Sequence, residues 1–280
     1  MLCALGDLVE DVVVLLPGPP ARATDTTCTV LRARGGSAAN VAVAAVRAGS
    51  RARFVGRVGD DPLGDSLVAR LGAAGVVVAG ERGGRTGSIV VLVSPDGERT
   101  MLTDRGCAVD LAAADPAWLD GALALHVPAY SLAGGAIARS AALLWEAATC
   151  LRSIDASSVA LLAERGRAWW LDRVASLAPD VLFADAGEAA FLGLDDAPPP
   201  GVAVTVVKDG PRPARVLRHG SPPVAVPAVA VDRVVDTTGA GDAFAAGWLV
   251  AAVAGADPVQ ATEAGHRLAA SVVGLAGALP

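Results

Sequence analysis

The sequence predicts an α/β fold in which a mostly parallel central sheet is covered by helices on both faces and closed by a small β-sheet lid. From about residue 120 onward, short β-like segments alternate with Ala-rich helical segments. Such alternation is typical of a parallel sheet with helices on both faces. Two stretches, at about 12–34 and 86–104, contain only β-like segments. We expect them to form the lid, as two insertions into a single domain that spans residues 1–280.

The first half of the chain is expected to contribute to both sheets. Alternating or β-branched segments predict strands at 2–5, 12–16, 26–34, 53–58, 88–93 and 99–103. Ser37 is a suitable cap for a helix over 38–48, which Gly49 ends. Asp61, followed by a proline, begins a second predicted helix that ends near residue 71.

The second half supplies the strand–helix alternation. Strands are predicted at 123–127, 151–154, 181–184 and 202–207, and helices near 135–148, 157–177 and 186–192. A hairpin-like stretch follows at 214–226. Two helices, at about 240–254 and 257–275, end the chain.

Composition narrows the classes of function. The chain is 53% hydrophobic but only 4% aromatic, so its core is expected to consist of Ala, Val and Leu. A net charge of −6 argues against a general nucleic-acid binder, which needs a basic surface. The N-terminus lacks a basic signal-peptide region, and the most apolar segment, 243–256, is shorter than the ~20 residues that span a bilayer. With scattered cysteines, these features favour a cytoplasmic protein without a membrane partner.

The most informative segment is the small-residue turn Gly239-Ala240-Gly241, which leads into an apolar helix. Backbone N–H groups at a helix N-terminus form an anion site. Asp242 lies in the first turn of that helix, where a carboxylate could accept a proton from an attacking hydroxyl during phosphoryl transfer. The alternative is an acid that simply favours the helix dipole. The spacing fits neither a dinucleotide GxGxxG nor a GxxxxGK[ST] loop.

Two long motifs resemble those of the ribokinase-like (PfkB) carbohydrate kinases. They are DTTGAGDAFAAG at 236–247, and GGSAANVA at 35–42 followed by VGDDPLG at 58–64. The resemblance covers essentially the whole chain and implies a three-layer α/β/α ribokinase-like sandwich with a β lid. It also implies an ATP-dependent sugar kinase that transfers the γ-phosphoryl group to a hydroxyl. A nucleoside kinase of the same fold and a non-catalytic sugar or nucleotide sensor are the alternatives.

The same resemblance assigns roles around the C-terminal motif. Asp242 is the expected base, and Gly239, Ala240 and Gly241 are expected to hold the phosphoryl group through their N–H groups. Asp236 and Thr238 match positions that bind a monovalent cation, usually K⁺, in many family members. An Asx-type turn before the helix is an equally good explanation of these two residues.

Substrate contacts are expected from the N-terminal half and the lid. By resemblance, Asp11 holds two sugar hydroxyls, and a carboxylate suits a vicinal diol because it can accept from both. The further expected substrate contacts are Asp7, Gly35, Gly36, Asn40, Arg105 and Tyr130. For Arg105, contact with the phosphoryl group or an acidic sugar and a loop salt bridge all remain open.

The nucleotide is expected at the ends of later strands. Asp185 and Glu188 occupy the family's N-x-x-E positions, where Glu188 would bind Mg²⁺ through water, and Asp185 departs from the usual Asn. The other expected nucleotide contacts are Thr205, Lys208, Gly210 and His266. Lys208 is the only lysine in the chain, and a solvated surface position explains it as well as a phosphate contact does. A small-molecule sugar is the expected partner, nucleic acid is not, and the resemblance also allows a homodimer formed through lid strands.

Overall fold

A nine-stranded sheet runs through the centre of the protein, and a four-stranded sheet lies beside it. The computed structural model describes residues 1–234 and 236–274. The strands are β1 Leu2–Leu5, β2 Val9–Leu15, β3 Thr29–Gly35, β4 Ala52–Val58, β5 Val76–Arg82, β6 Thr86–Val93, β7 Arg99–Gly106, β8 Ala124–Pro128, β9 Leu151–Asp155, β10 Val181–Asp185, β11 Val204–Lys208, β12 Ala214–Arg218 and β13 Ser221–Val226. The helices are α1 Ser37–Arg47, α2 Pro62–Ala73, α3 Gly135–Ala147, α4 Val159–Arg165, α5 Arg167–Leu177, α6 Ala186–Leu192, α7 Ala240–Val253 and α8 Pro258–Val272.

The central sheet is parallel over most of its width. Its order is β13-β12-β11-β10-β9-β8-β1-β4-β5, and the strands from β5 to β11 are parallel to their neighbours. The hairpin β12–β13 adds two antiparallel strands at one edge. After β1 the chain moves to β4 on one side and later to β8 on the other. A change of direction of this kind opens a crevice at the carboxyl ends of the strands, where ligands bind in α/β sheets.

Helices cover both faces of this sheet. On one face, α1, α2, α7 and α8 bury a core that includes Phe54, Phe183, Phe244 and Trp248. On the other face, α3 to α6 bury a second core around Trp170 and its apolar neighbours. Burial on both faces explains why the parallel strands are nearly continuous apolar runs, such as Val181–Asp185. The predicted three-layer α/β/α architecture is confirmed.

Two elements differ from the sequence-based expectations, and the N-cap of α1 is Gly36, not the expected Ser37, whose hydroxyl makes no capping hydrogen bond. Strand β5 was not predicted, although the run Val76-Val77-Val78 that begins it is a β-forming signal. The helix predicted over 157–177 is two helices, because Gly166 adopts φ +83° between α4 and α5. A glycine takes this left-handed conformation at little cost, so it redirects the chain without interrupting the apolar pattern.

The four-stranded sheet is the predicted lid. Its order is β3-β2-β6-β7, in which β2 and β6 are parallel and the other pairs are antiparallel. Strand side chains alternate between faces. Ile89 and Val91 of β6 and Arg99 and Arg105 of β7 therefore point to one face, which lines a large cavity.

In the part of the chain that the structure describes, no helix has the length and apolar character needed to cross a bilayer.

Candidate active site

A cavity of about 840 Å³ lies between the carboxyl edge of the central sheet and the lid. Its wall combines the ends of β8 to β11 with the starts of α1 and α7 and with one face of the lid. Most of the site residues expected from the sequence line it: Asp7, Asp11, Gly36, Asn40, Arg105, Tyr130, Asp185, Glu188, Lys208, Gly210, Thr238, Gly239, Gly241 and Asp242.

The turn before α7 presents backbone amides to this cavity. Gly239 is the N-cap residue with φ +75°, a left-handed conformation that favours glycine. The Ala240 amide donates to Thr237 O at 3.1 Å, and the Ala243 amide donates to Gly239 O at 2.8 Å. The amides of Gly241 and Asp242 lie between them, in the first turn, where N–H groups have no acceptor within the helix. The predicted anion site is therefore left with these two amides, because the Ala240 amide is used within the turn.

Asp242 is held by two hydrogen bonds from α1. Ser37 Oγ donates to Asp242 Oδ1 at 2.6 Å, and Asn40 Nδ2 donates to Asp242 Oδ2 at 3.0 Å. Arg34 Nη1 donates to Asn40 Oδ1 at 2.7 Å, which fixes the orientation of the amide. Burial raises the pKa of Asp242 to about 6, although both hydrogen bonds act in the opposite direction. This carboxylate is ionised at neutral pH and is a stronger base than an exposed aspartate.

The glycine pair at the end of β3 lets the chain pass close to two acidic residues. A Cβ on Gly35 would lie 2.1 Å from Asp11 Oδ1. Gly36 has φ +100°, and a Cβ there would lie 2.3 Å from the backbone oxygen of Asp7. Neither position can hold a larger residue without displacing the carboxylate or the β1–β2 turn. Gly35 thus acts by making room for Asp11.

Two carboxylates, an arginine and a tyrosine form the end of the cavity nearest β1. Arg105 Nη1 donates to Asp7 Oδ2, and the guanidinium lies 3.8 Å from the centre of the Tyr130 ring. Asp7 Oδ1 is buried and has no hydrogen-bond partner within residues 1–234 and 236–274. Burial, and next the charge of Asp7, raises the pKa of Asp11 to about 6. Buried carboxylate oxygens need hydrogen-bond donors, and substrate hydroxyls can supply them.

Carboxylates also surround Lys208 at the ends of β9 to β11. Lys208 Nζ donates to Asp155 Oδ2 at 2.6 Å, and a Cβ on Gly241 would lie 3.3 Å from Nζ. Burial alone would lower the pKa of Lys208, but the charges of Asp155 and Glu188 outweigh it and raise that pKa. Burial, followed by the charge of Asp155, raises the pKa of Glu188 to about 7. The lysine is therefore a charged group beside the amide turn.

The departure from asparagine at Asp185 has a structural explanation. Asp185 Oδ1 accepts from the Glu188 amide at 2.7 Å, and Glu188 Oε2 accepts from the Asp185 amide at 2.7 Å. This reciprocal pair is a capping box at the start of α6. Asparagine and aspartate cap helices equally well. The capping role therefore tolerates either residue.

A lid arginine contacts the residues expected to hold a monovalent cation. Arg99 Nη2 lies 2.6 Å from Asp236 Oδ1, and Arg99 Nη1 donates to Thr238 Oγ1 at 2.5 Å. Asp236 Oδ1 also accepts from the Thr238 amide at 2.8 Å and from Thr238 Oγ1 at 2.7 Å. This is the Asx-type turn that was the alternative explanation, and a guanidinium occupies its outer side.

Some predicted residues lie away from the cavity wall. Thr205 is fully buried within β11, and His266 packs edge-on against Phe244 with ring centroids 5.1 Å apart. Three other predicted residues do not line the cavity but contact residues that do, as described above: Gly35, Ala240 and Asp236. For Thr205 and His266, a nucleotide contact stays a prediction that rests on the family resemblance.

Sequence reasoning missed several residues that contribute to the site, among them Ser37, Arg34, Arg99 and Asp155. Asp155 had a usable signal, because it directly follows the strand predicted at 151–154, at the edge where ligands bind. The roles of Ser37 and Arg34 depend on Asp242 and Asn40. No local pattern in the sequence reveals those contacts.

The whole chain, residues 1–280, matches the sequence profile of the pfkB family carbohydrate kinases. The chain belongs to this family. The adenosine kinase from Sinorhizobium meliloti superimposes with a TM-score of 0.85 at 24% identity, over 100% of this chain and 95% of that one. A ribokinase from Cryptococcus neoformans var. grubii in complex with ADP superimposes with a TM-score of 0.82 at 21% identity, over 99% of this chain and 95% of that one. These likenesses confirm the ribokinase-like fold.

A curated relative is similar over a shorter segment. Fructokinase-2 of Solanum habrochaites is 40% identical over 84 residues, which are 29% of this chain and 26% of the fructokinase. The match spans about a quarter of the relative's length. Family membership therefore rests on the whole-chain match, and the substrate has to be argued from the site itself.

Proposed function

We propose that this protein is an ATP-dependent kinase that transfers the γ-phosphoryl group to a hydroxyl of a small, neutral carbohydrate, with Asp242 as the base. One observation carries the proposal. A carboxylate with a raised pKa and two helix-start amides, those of Gly241 and Asp242, lie on the first turn of α7 in one large cavity. A base and an anion site on adjacent residues are what transfer from a phosphate to an alcohol requires.

Each residue has a defined part in the proposed reaction. Asp242 accepts the proton of the substrate hydroxyl as the oxygen forms its bond to the γ-phosphorus. The bond from that phosphorus to the bridging oxygen of ADP breaks in the same in-line displacement. The Gly241 and Asp242 amides and Lys208 stabilise negative charge on the transferring group, because all three are donors that the fold already positions. The lid excludes water, which limits hydrolysis of ATP.

ATP and Mg²⁺ are the cofactors that this site fits. The related ribokinase was solved with ADP, the nucleotide product of such a transfer. Asp185 and Glu188 are the residues that would hold Mg²⁺ through its waters. Burial, and next the charge of Asp155, raises the pKa of Glu188, and a divalent cation would favour its ionised form. Mg²⁺ usually binds through one or two carboxylates together with substrate phosphates, and it neutralises charge on those phosphates.

The sugar end of the cavity favours a neutral polyol. Arg105 is already paired with Asp7, so its charge is not available to a sugar acid. Asp7 Oδ1 and the Asp11 carboxylate remain as hydrogen-bond acceptors for hydroxyls. Among the described residues that line the cavity, Tyr130 is the one aromatic side chain, and Arg105 covers its ring. A nucleoside base would therefore find no free stacking surface here.

The first experiment measures ADP production with a panel of neutral sugars, sugar acids and nucleosides. We expect turnover with at least one neutral sugar. Asp242→Asn should lower kcat by roughly 10²–10⁴-fold, the usual contribution of a general base, with little change in KM. The matched control is Asp209→Asn, which removes an aspartate that pairs with Arg212 at the end of another element.

Two results would contradict the proposal. One is wild-type kcat in Asp242→Asn. The other is tight sugar binding without turnover in saturating Mg-ATP, which would favour the sensor. Turnover with nucleosides alone would keep Asp242 as base but overturn the assignment to a carbohydrate.

A further inference from the structure

We propose that Arg99, carried by the lid, supplies the positive charge at Asp236 and Thr238, so that this kinase needs no monovalent cation there. Arg99 is then a positioning residue for the amide turn. The inference rests on the proposed function for its kinetic test, but its binding test is independent of turnover.

The first argument is occupancy of the oxygen atoms. Potassium binds where several oxygens replace its hydration shell. Asp236 Oδ1 instead accepts from three donors: the Thr238 amide at 2.8 Å, Thr238 Oγ1 at 2.7 Å and Arg99 Nη2 at 2.6 Å. Arg99 also donates to Thr238 Oγ1 at 2.5 Å and to Thr237 Oγ1 at 3.0 Å. A metal ion would have to displace a guanidinium that bridges three side chains.

The second argument is the position of these contacts along the chain. Asp236, Thr237 and Thr238 come directly before Gly239, the N-cap of α7. The Thr237 carbonyl accepts from the Ala240 amide at 3.1 Å, so it is part of the turn itself. A charge that fixes these residues therefore fixes the direction of the Gly241 and Asp242 amides. Misdirected amides would weaken phosphoryl transfer much more than sugar binding.

The third argument is the element that carries the arginine. Arg99 and Arg105 lie on the same face of β7, six residues apart, which corresponds to roughly 20 Å in an extended strand. Arg105 contacts Asp7 and Tyr130 at the sugar end, whereas Arg99 contacts the turn at the phosphoryl end. One strand of the lid thus spans both ends of the reaction. Arg99 therefore contacts the turn before α7 only while the lid covers the sugar.

The kinetic experiment compares K⁺ with tetramethylammonium as the only monovalent cation. We expect wild-type kcat to be the same in both. Arg99→Ala should lower kcat about 10- to 100-fold, as loss of an outer partner of a charged centre typically does, with a smaller change in sugar KM. We expect K⁺ or low-millimolar guanidinium to restore part of that loss. Arg99→Lys should retain more activity than Arg99→Ala.

The binding experiment needs no turnover. Melting temperatures are recorded against K⁺ concentration at constant ionic strength, with tetramethylammonium as the balance. Wild-type protein should show no saturable stabilisation by K⁺, whereas Arg99→Ala should show it, because a ligand that binds the native state raises its melting temperature. Arg85→Ala is the matched control, since it removes another ion pair of the lid sheet, with Asp104, where both partners are exposed.

Saturable activation or stabilisation of the wild type by K⁺ would overturn the inference. So would an Arg99→Ala variant with wild-type kcat, or one that neither K⁺ nor guanidinium rescues. If the wild type phosphorylates no substrate, the proposed function fails, and the melting experiment still decides the role of Arg99.

Discussion

The central sheet and the lid contribute to the same cavity in different ways. The central sheet and its helices carry Asp242, Asp155, Glu188 and Lys208, on strand ends and helix starts that are buried on both sides. The lid carries Asp11, Arg99 and Arg105 on strands whose other face is open to solvent in part, with Leu102 54% exposed. The proposed reacting groups therefore lie on buried elements of the body, and the lid adds charged side chains to the same cavity.

The two regions also differ in how their arginine and carboxylate charges are balanced, although Asp11 of the lid has a raised pKa like the body carboxylates. Lid arginines are paired in the structure, Arg99 with Asp236 and Arg105 with Asp7. In the body, burial raises the pKa of Asp242 to about 6 and that of Glu188 to about 7. The body thus keeps carboxylates in an unfavourable environment that a phosphate–metal complex and a hydroxyl would relieve. Perturbed pKa values of this kind are typical of functional sites.

The sharpest test of this division is Asp11→Ala in the lid. We expect kcat/KM for the sugar to fall roughly 10²–10³-fold, mainly through KM, because hydrogen bonds from two hydroxyls to a charged acceptor are lost. The measurement is steady-state kinetics at saturating ATP. Glu10→Ala is the control, since Glu10 is the adjacent residue of β2 and pairs with Arg32 instead. A loss confined to kcat would contradict the division in which lid residues bind the sugar and body residues carry out phosphoryl transfer.

A second test concerns stability. The folded pKa of Asp242 is about 6, above the ordinary value near 3.8. Ionisation of Asp242 therefore lowers the free energy of unfolding at high pH, and this destabilisation disappears as the pH falls through both pKa values. We expect Asp242→Asn to raise the free energy of unfolding by about 1–2 kcal/mol near pH 8 and to leave it unchanged below about pH 3.

Urea unfolding at several pH values measures this effect, and Asp61→Ala provides the contrast. Asp61 caps α2, and hydrogen bonds from Thr86 hold its pKa below the ordinary value. Its loss should destabilise the protein by about 1 kcal/mol near neutral pH. A destabilised Asp242→Asn variant would show that the body carboxylates stabilise the fold, contrary to the comparison drawn above.

The smallest expected effect is on the pH profile. Because Asp242 must be ionised to act as base, kcat should fall as pH drops below about 6. Ser37→Ala removes a hydrogen bond that lowers this pKa, so the acid limb should move to higher pH by about half a unit. This shift is measured from kcat against pH at saturating sugar and Mg-ATP. Ionisation of ATP affects both proteins equally, so it does not contribute to the difference between their profiles. Ser50→Ala changes a half-buried serine outside the cavity and should leave the limb unmoved.

Sequence reasoning was most successful where the signal is local. The strand–helix alternation, the turn before Asp242 and the glycine pair at the end of β3 each lie within a few residues, and backbone preferences act over that range. Strand β5 was missed although Val76 to Val78 favour a strand, because the segment follows a helix closely and lies at a sheet edge. The break at Gly166 was missed because the apolar pattern continues through it.

The amino-acid sequence by itself determined the fold class, the candidate base and the position of the anion site. Only the tertiary structure decided which charges meet: Ser37 with Asp242 across 205 residues, Arg99 with Asp236 across 137, and Lys208 with Asp155 across 53. The reason is physical. A motif encodes backbone geometry over one turn, but the partner of a side chain is set by which strands and helices pack together, and that depends on the whole core.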